Sequence, residues 1–129
     1  MTTMIAHPLP LFDSIEYITD IKDYAYLNAD YEKKDIEMAL SFLKAYRGSQ
    51  GTFNSYRREI ERFIHWCALI EKKPLKEIKR EHIEAFVKFC QKPPKTWIGL
   101  TKPPRFIEKE GLRIPNAAWR PFVATISKM

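Results

Sequence analysis

The side chains best suited to chemistry are few: three histidines (His7, His65, His82), two cysteines (Cys67, Cys90) and arginines that thicken at Arg57, Arg58 and Arg62. Histidine and cysteine are good zinc ligands, so His65-x-Cys67 with His82 and Cys90 invites a metal site. The spacing argues against it. On a helix His65 falls on the polar face and Cys67 on the apolar face, and a common ligand sphere would need the helix to distort. Both cysteines occupy apolar helical positions, where a free thiol behaves as a small buried hydrophobe, and no disulfide is expected. Trp66 and Trp97 could stack on a nucleic-acid base, but large aromatics at bundle edges usually pack.

Charge narrows the field further. The formal net charge is +6, and it is unevenly spread. Residues 1–34 hold three basic side chains against six acidic, residues 35–91 eleven against eight, and residues 92–129 eight against two. Basic charge therefore grows towards the carboxyl end, and a polyanion is the simplest partner for it, nucleic acid ahead of acidic lipid. No run of eighteen apolar residues could span a bilayer, and the start lacks the basic and apolar regions of a secretory signal, so no membrane partner and a cytoplasmic location are expected.

The elements that must carry these residues follow from apolar spacing. With 129 residues, 45% of them hydrophobic, the chain can fill one core. Residues 1–34 read as an arm with a short helix near Thr19–Leu27. Ile36, Ala39, Leu40, Leu43 and Tyr46 recur at helical spacing from Asp35, a candidate cap, to Gly48, which can close the helix in the left-handed conformation. A second helix runs from Thr52, its candidate N-cap, to about Lys72. Phe53, Tyr56, Ile60, Phe63, Ile64 and Cys67 form its apolar face, and Asn54, Arg58, Glu61, Arg62 and His65 the opposite one. A third helix spans about Arg80 to Gln91, with Ile83, Phe86, Val87 and Cys90 as its stripe. Five prolines between Gln91 and Pro115 exclude a long helix there, and Asn116–Lys128 reads as the start of a further helix. No alternating strand pattern is seen, so a sheet is not expected. The class is mainly α: a small helical bundle with an N-terminal arm and a proline-rich basic loop.

The order Ser41-Phe42-Leu43, Thr52-Phe-Asn-Ser-Tyr56-Arg57-Arg58 leading to Phe63-Ile-His-Trp66-Cys67, then Pro74-Leu75 and Ile78-Lys-Arg-Glu-His-Ile83-Glu-Ala-Phe86 resembles the N-terminal core-binding, SAM-like domain of the tyrosine recombinase or phage integrase family. The resemblance covers residues 35–91 best. It implies a helical clamp on double-stranded DNA, working with sibling recombinase subunits in DNA integration or excision, while a separate domain cuts and rejoins strands. That chemistry uses an arginine, a lysine, a His-x-x-Arg pair and a nucleophilic tyrosine, with no cofactor. None of the three histidines here is followed three residues later by arginine, so no catalytic residue is assigned and the chain is expected to be inert. Residues 92–129 then read as the loop and the start of a helix, truncated before any catalytic domain.

By position in the family's motif, Thr52, Ser55, Arg57 and Arg58 face DNA, and the helical wheel adds Asn54 and Arg62. A helix amino terminus offers N–H groups to phosphate, and arginine grips phosphate or guanine with two donors. Arg57, nearer the apolar edge, is the likelier of its pair to serve structure. Lys79 and Arg80 before the third helix, and Lys95, Lys102 and Arg105 in the loop, can follow a phosphate backbone. The apolar face left by a missing helix would be covered by the acidic arm, by Trp119 and Phe122, or by a second copy of the chain in a homodimer. The rival reading is a helical protein–protein interaction module, without DNA binding, in which the acidic arm and basic tail pair between chains.

Overall fold

The computed structural model describes residues 8–17 and 31–124. The short helix expected near Thr19–Leu27 lies outside them. Helix α1, Lys33–Lys44, begins two residues before Asp35, with Glu32 at its N-cap. Asp35 is instead used between elements: its carboxylate accepts the Leu75 N–H at 2.9 Å and ties the turn after the second helix to α1. Gly48 does not adopt a positive φ; the helix stops at Lys44, and the Ala45 N–H bonds back to Phe42. Ile36, Ala39, Leu40 and Leu43 are buried, as their spacing requires.

Helix α2 spans Gln50–Trp66 and is capped by the backbone of Ser49 rather than by Thr52, whose hydroxyl accepts a hydrogen bond from that of Ser49 at 3.0 Å. It then widens into a π turn, Cys67–Glu71, and ends at Lys72 in the left-handed conformation (φ 59°). Phe53, Ile64 and Cys67 are buried, but Tyr56 is 39% exposed, in a half-open cluster with Phe42 and Tyr46. Glu61 and His65, expected on the solvated face, are 1% and 0% exposed. The helix is covered on two sides, not one.

Helix α3, Arg80–Gln91, starts where predicted, and the His82 ring accepts the Lys79 N–H at 2.8 Å to satisfy one orphan donor of its first turn. Its stripe is only partly used. Ile83 and Val87 stay about half exposed, while Phe86 meets Phe63 and Trp66 edge-on and Phe89 meets Trp97.

The proline-rich segment contains the strands that its sequence did not suggest. A single turn of 3-10 helix, Lys95–Trp97, drops Trp97 fully into the interior. Strand β1, Ile98–Gly99, pairs in parallel with β4, Phe122–Val123, and β2, Phe106–Lys109, pairs antiparallel with β3, Leu112–Pro115. The β2–β3 turn uses Glu110 and Gly111, both at positive φ (53° and 80°), the geometry that matches strand twist in tight hairpins. The helix expected from Asn116 does not form across the described part of that segment. The Asn116 carboxamide oxygen takes the Ala118 N–H, its amide donates to Pro104 O, and Pro121 offers no N–H, so the backbone turns and enters β4.

Residues 8–17 complete the core. Leu11 and Phe12 are buried against Ile36, Leu40, Leu43, Phe53 and Ile64. Trp97, Trp119 and Phe122 close the other flank. The arm and the indole and phenyl rings thus cover what three helices alone would expose. The charges of arm and tail meet within one chain: Arg113 makes a two-pronged pair with Asp13 at 2.7 and 2.8 Å, against the interchain pairing of the interaction-module reading.

Candidate nucleic-acid interface

The inner polar face of α2 is a pin rather than a surface. Glu61 Oε2 accepts the N–H groups of Leu11 (2.6 Å) and Phe12 (2.9 Å) and a donor from Arg105 Nη2 (2.5 Å). The same Arg105 nitrogen donates to Phe12 O at 3.1 Å. Burial alone would raise the Glu61 pKa, but the charge and hydrogen bond of Arg105, together with the Phe12 N–H and the nearby His65, hold it below the ordinary carboxylate value. A carboxylate this deep is tolerable because opposite charge and N–H donors surround it. One turn on, His65 Nδ1 lies 2.7 Å from the Tyr31 hydroxyl, and its ring abuts Trp97 and Trp119. Burial pushes its pKa down to about 4, so the ring is neutral at pH 7.

Beside this pin, α2, the loop after Thr101 and the turn into β4 enclose an open groove of about 630 Å³. Its basic lining is Arg57, Arg58, Arg62, Lys102, Arg105 and Arg120, joined by Asn54, Thr101 and Trp119, and no carboxylate is among its lining residues. The cations are not equivalent. Arg58 is exposed and meets Glu59 at 3.0 Å in solvent. Arg62 holds the wall in place: its Nε donates to Pro121 O at 3.0 Å and its guanidinium lies 4.2 Å above the Phe122 ring. Arg120 Nη1 donates to the carbonyls of Ala117 and Trp119, shaping the turn. Lys102 is exposed. Arg57 is half-buried, 5.5 Å from the Phe53 ring centre, and burial together with the charge of Arg105 pushes its pKa down to about 10.

Of the eleven residues the sequence nominates, this groove gathers Asn54, Arg57, Arg58, Arg62, Lys102 and Arg105. Arg105 is committed inward to Glu61, so its charge is largely spent. Thr52 and Ser55 stand on the first two turns of α2, outside the lining. Lys79 and Arg80 are exposed at the start of α3, where His82 lies 3.7 Å from Glu71, so they flank the carboxyl end of α2 rather than its amino end. Lys95 is exposed in the turn after α3. Arg120 was not nominated; its Trp-Arg-Pro setting marks a rigid turn but not which wall it would join. Trp66 and Trp97 are buried in packing. Among the described residues no three His, Cys, Asp or Glu side chains are grouped to hold a metal ion, and no helix is long and apolar enough to cross a membrane.

Three short helices, an arm locked beneath them and one basic groove define a small, mainly α domain with a surface suited to an anionic partner. Residues 36–97 match the family model of the phage integrase N-terminal SAM-like domain. Neither the curated proteins nor the solved structures compared with the chain give a match. The matched stretch contains the α2 wall of the groove, whereas Lys102, Arg105 and Arg120 on the opposite wall follow it.

Proposed function

We propose that this chain grips duplex DNA through the groove between α2 and the Thr101–Ala124 segment, as the DNA-binding part of a site-specific tyrosine recombinase or integrase. In that setting it holds DNA beside the recombination site for integration or excision of a mobile element, next to sibling recombinase subunits, and leaves strand cutting to another domain. The observation that carries the reading is the convergence of six basic side chains on one groove, without a carboxylate among the lining residues: three on α2 inside the stretch that matches the integrase-type domain and three on the facing wall after it. The exposed amino-terminal turn of α2 adds oriented N–H groups and a positive dipole end towards phosphate.

The test is anisotropy of a short labelled duplex titrated with the chain over a series of salt concentrations. Each phosphate neutralised contributes about −0.9 to the slope of log affinity against log salt. Arg58→Ala with Lys102→Ala removes two exposed cations that brace no packing, and the slope should become shallower by about 1.8. A slope indifferent to both changes, or affinity that does not fall with salt, would remove the groove as the DNA site.

A further inference from the structure

Arg57 is the odd member of the groove. Arg58 meets Glu59, Arg62 is spent on Pro121 O, Arg105 is neutralised by Glu61, and Arg120 Nη1 bonds two carbonyls. Arg57 lines the same groove, yet its Nε and Nη1 are sealed from solvent and have no hydrogen-bond partner. Buried donors on an ionised group are expensive to leave unmade, and such groups either lose their charge or acquire a counter-charge. A guanidinium does not take the first route: even with its pKa pushed down to about 10 it stays charged at pH 7. Inside the chain the second route is only partly taken: the charges of Glu61, Asp13 and Glu16 favour the Arg57 cation, but none of them is hydrogen-bonded to its Nε or Nη1. Glu61, one turn along α2, already serves Arg105 and two backbone N–H groups through one oxygen, and its other oxygen has no partner. Arg57 also lies close enough to Arg105 to be destabilised by its charge.

Two donors of a charged group are thus left unmet beside an open groove, and a partner entering that groove to meet them has a specified chemistry. It is anionic. It offers two oxygens to one edge of a planar fork, as phosphate does. It fits an open groove of about 630 Å³ whose lining carries no carboxylate to repel it. We infer that the groove contains a discrete phosphate seat, in which the Nε and Nη1 of Arg57 grip two oxygens of one phosphate group while Lys102 and Arg58 face it from the rim. Seating turns the Arg57 guanidinium out of its sealed position, and the pairing of its two orphan donors drives that movement. The inference rests on the DNA-binding reading only for the source of the phosphate, which is a backbone phosphodiester there and inorganic phosphate otherwise.

The experiment uses the full chain and inorganic phosphate as the probe. Thermal unfolding is followed in phosphate and in chloride of equal ionic strength, for the parent, Arg57→Leu and, as a control, Lys88→Ala, at an exposed lysine of α3 outside the groove. The parent and Lys88→Ala should be stabilised saturably, the folding equilibrium shifting about elevenfold when phosphate stands at ten times its Kd. Arg57→Leu, relieved of a buried charge, should be at least as stable without phosphate and show only the general salting effect. A parent response no larger than that in chloride, or an equal response in Arg57→Leu, overturns the seat. A measurement without any variant reads the same site: the Arg57 Nε–H resonance should shift and saturate with phosphate, and a stationary resonance overturns the proposal. Adding a short duplex separates the sources. Displacement of phosphate from Arg57 assigns the seat to DNA backbone. Duplex that binds without moving the Arg57 signal overturns DNA as its source, and an intact phosphate response with no duplex binding sinks the DNA-binding reading while the seat stands.

Discussion

Replacing Glu61 by glutamine tests whether one buried charge locks the arm, α2 and the proline-rich segment together. The change is nearly isosteric but leaves Arg105 facing a neutral amide, with Arg57 beside it. Removing one partner of a buried ion pair costs about 3–5 kcal/mol, because the other charge stays desolvated. Here the carboxylate is 1% exposed and also receives the Leu11 and Phe12 N–H groups, so the upper half of that range applies. For a chain of this size each kcal/mol moves Tm by about 3–5 °C, giving a fall of about 12–25 °C. Urea unfolding read by tryptophan fluorescence reports it well, since Trp66, Trp97 and Trp119 are all buried. Glu59→Gln, at an exposed carboxylate, is the matched control and should change stability by less than about 1 kcal/mol. The pH dependence has a defined sign. Because the folded Glu61 pKa lies below its ordinary 4.5, its contribution is complete above that value and is lost as pH falls through the folded pKa. The deficit of Glu61→Gln is therefore full at pH 7 and shrinks in strong acid. A loss under about 1 kcal/mol at pH 7 would refute the view that this charge holds the three segments together.

His65 makes a separate prediction for mild acid. Its pKa is held at about 4 by burial against an ordinary 6.5, so the unfolded chain takes up a proton in that window and the folded chain does not. Stability, complete above pH 6.5, should fall by about 1.4 kcal/mol per pH unit between these values, and His65→Gln should flatten the urea-derived profile; a slope kept in the variant would count against the assignment. In the hairpin, Glu110 bears a positive φ that asparagine tolerates better. Glu110→Asn should gain up to about 1 kcal/mol in urea unfolding, and a loss would mean the turn is not of the tight hairpin kind.

The helices were legible because their apolar residues repeat locally. Ile36, Ala39, Leu40 and Leu43 needed only the neighbouring turns to declare a face, and Pro93-Pro94 marked where α3 must stop. Glu61 and His65 could not be read that way. A helical wheel sorts residues by polarity, and a polar residue reads as solvated unless its partners are known; those of Glu61 are Leu11, Phe12 and Arg105, far away along the chain. The strands escaped notice because each is two to four residues long, too short for an alternating pattern to show, in a segment broken by prolines. One signal was present: Glu110-Gly111 between Phe106-Ile107 and Leu112-Arg-Ile114 is the composition of a tight hairpin. Of the groove, the α2 wall could be nominated from residue type and the family resemblance. The facing wall at Arg120 depends on the β1–β4 pairing, which no local pattern announces.

The Glu61 pin also sets an order of events in time. Its hydrogen bonds join residues 50 and 49 positions back along the chain and 44 positions ahead. Contacts of that span are slow to form, since the loop entropy must be lost before the contact returns anything, whereas α1 to α3 draw on neighbours a turn away. The helices can therefore be present while the second wall of the groove is still unattached. Helical content and a formed binding surface are distinct stages in the maturation of this molecule, and the second waits on the meeting of segments from either end of the chain.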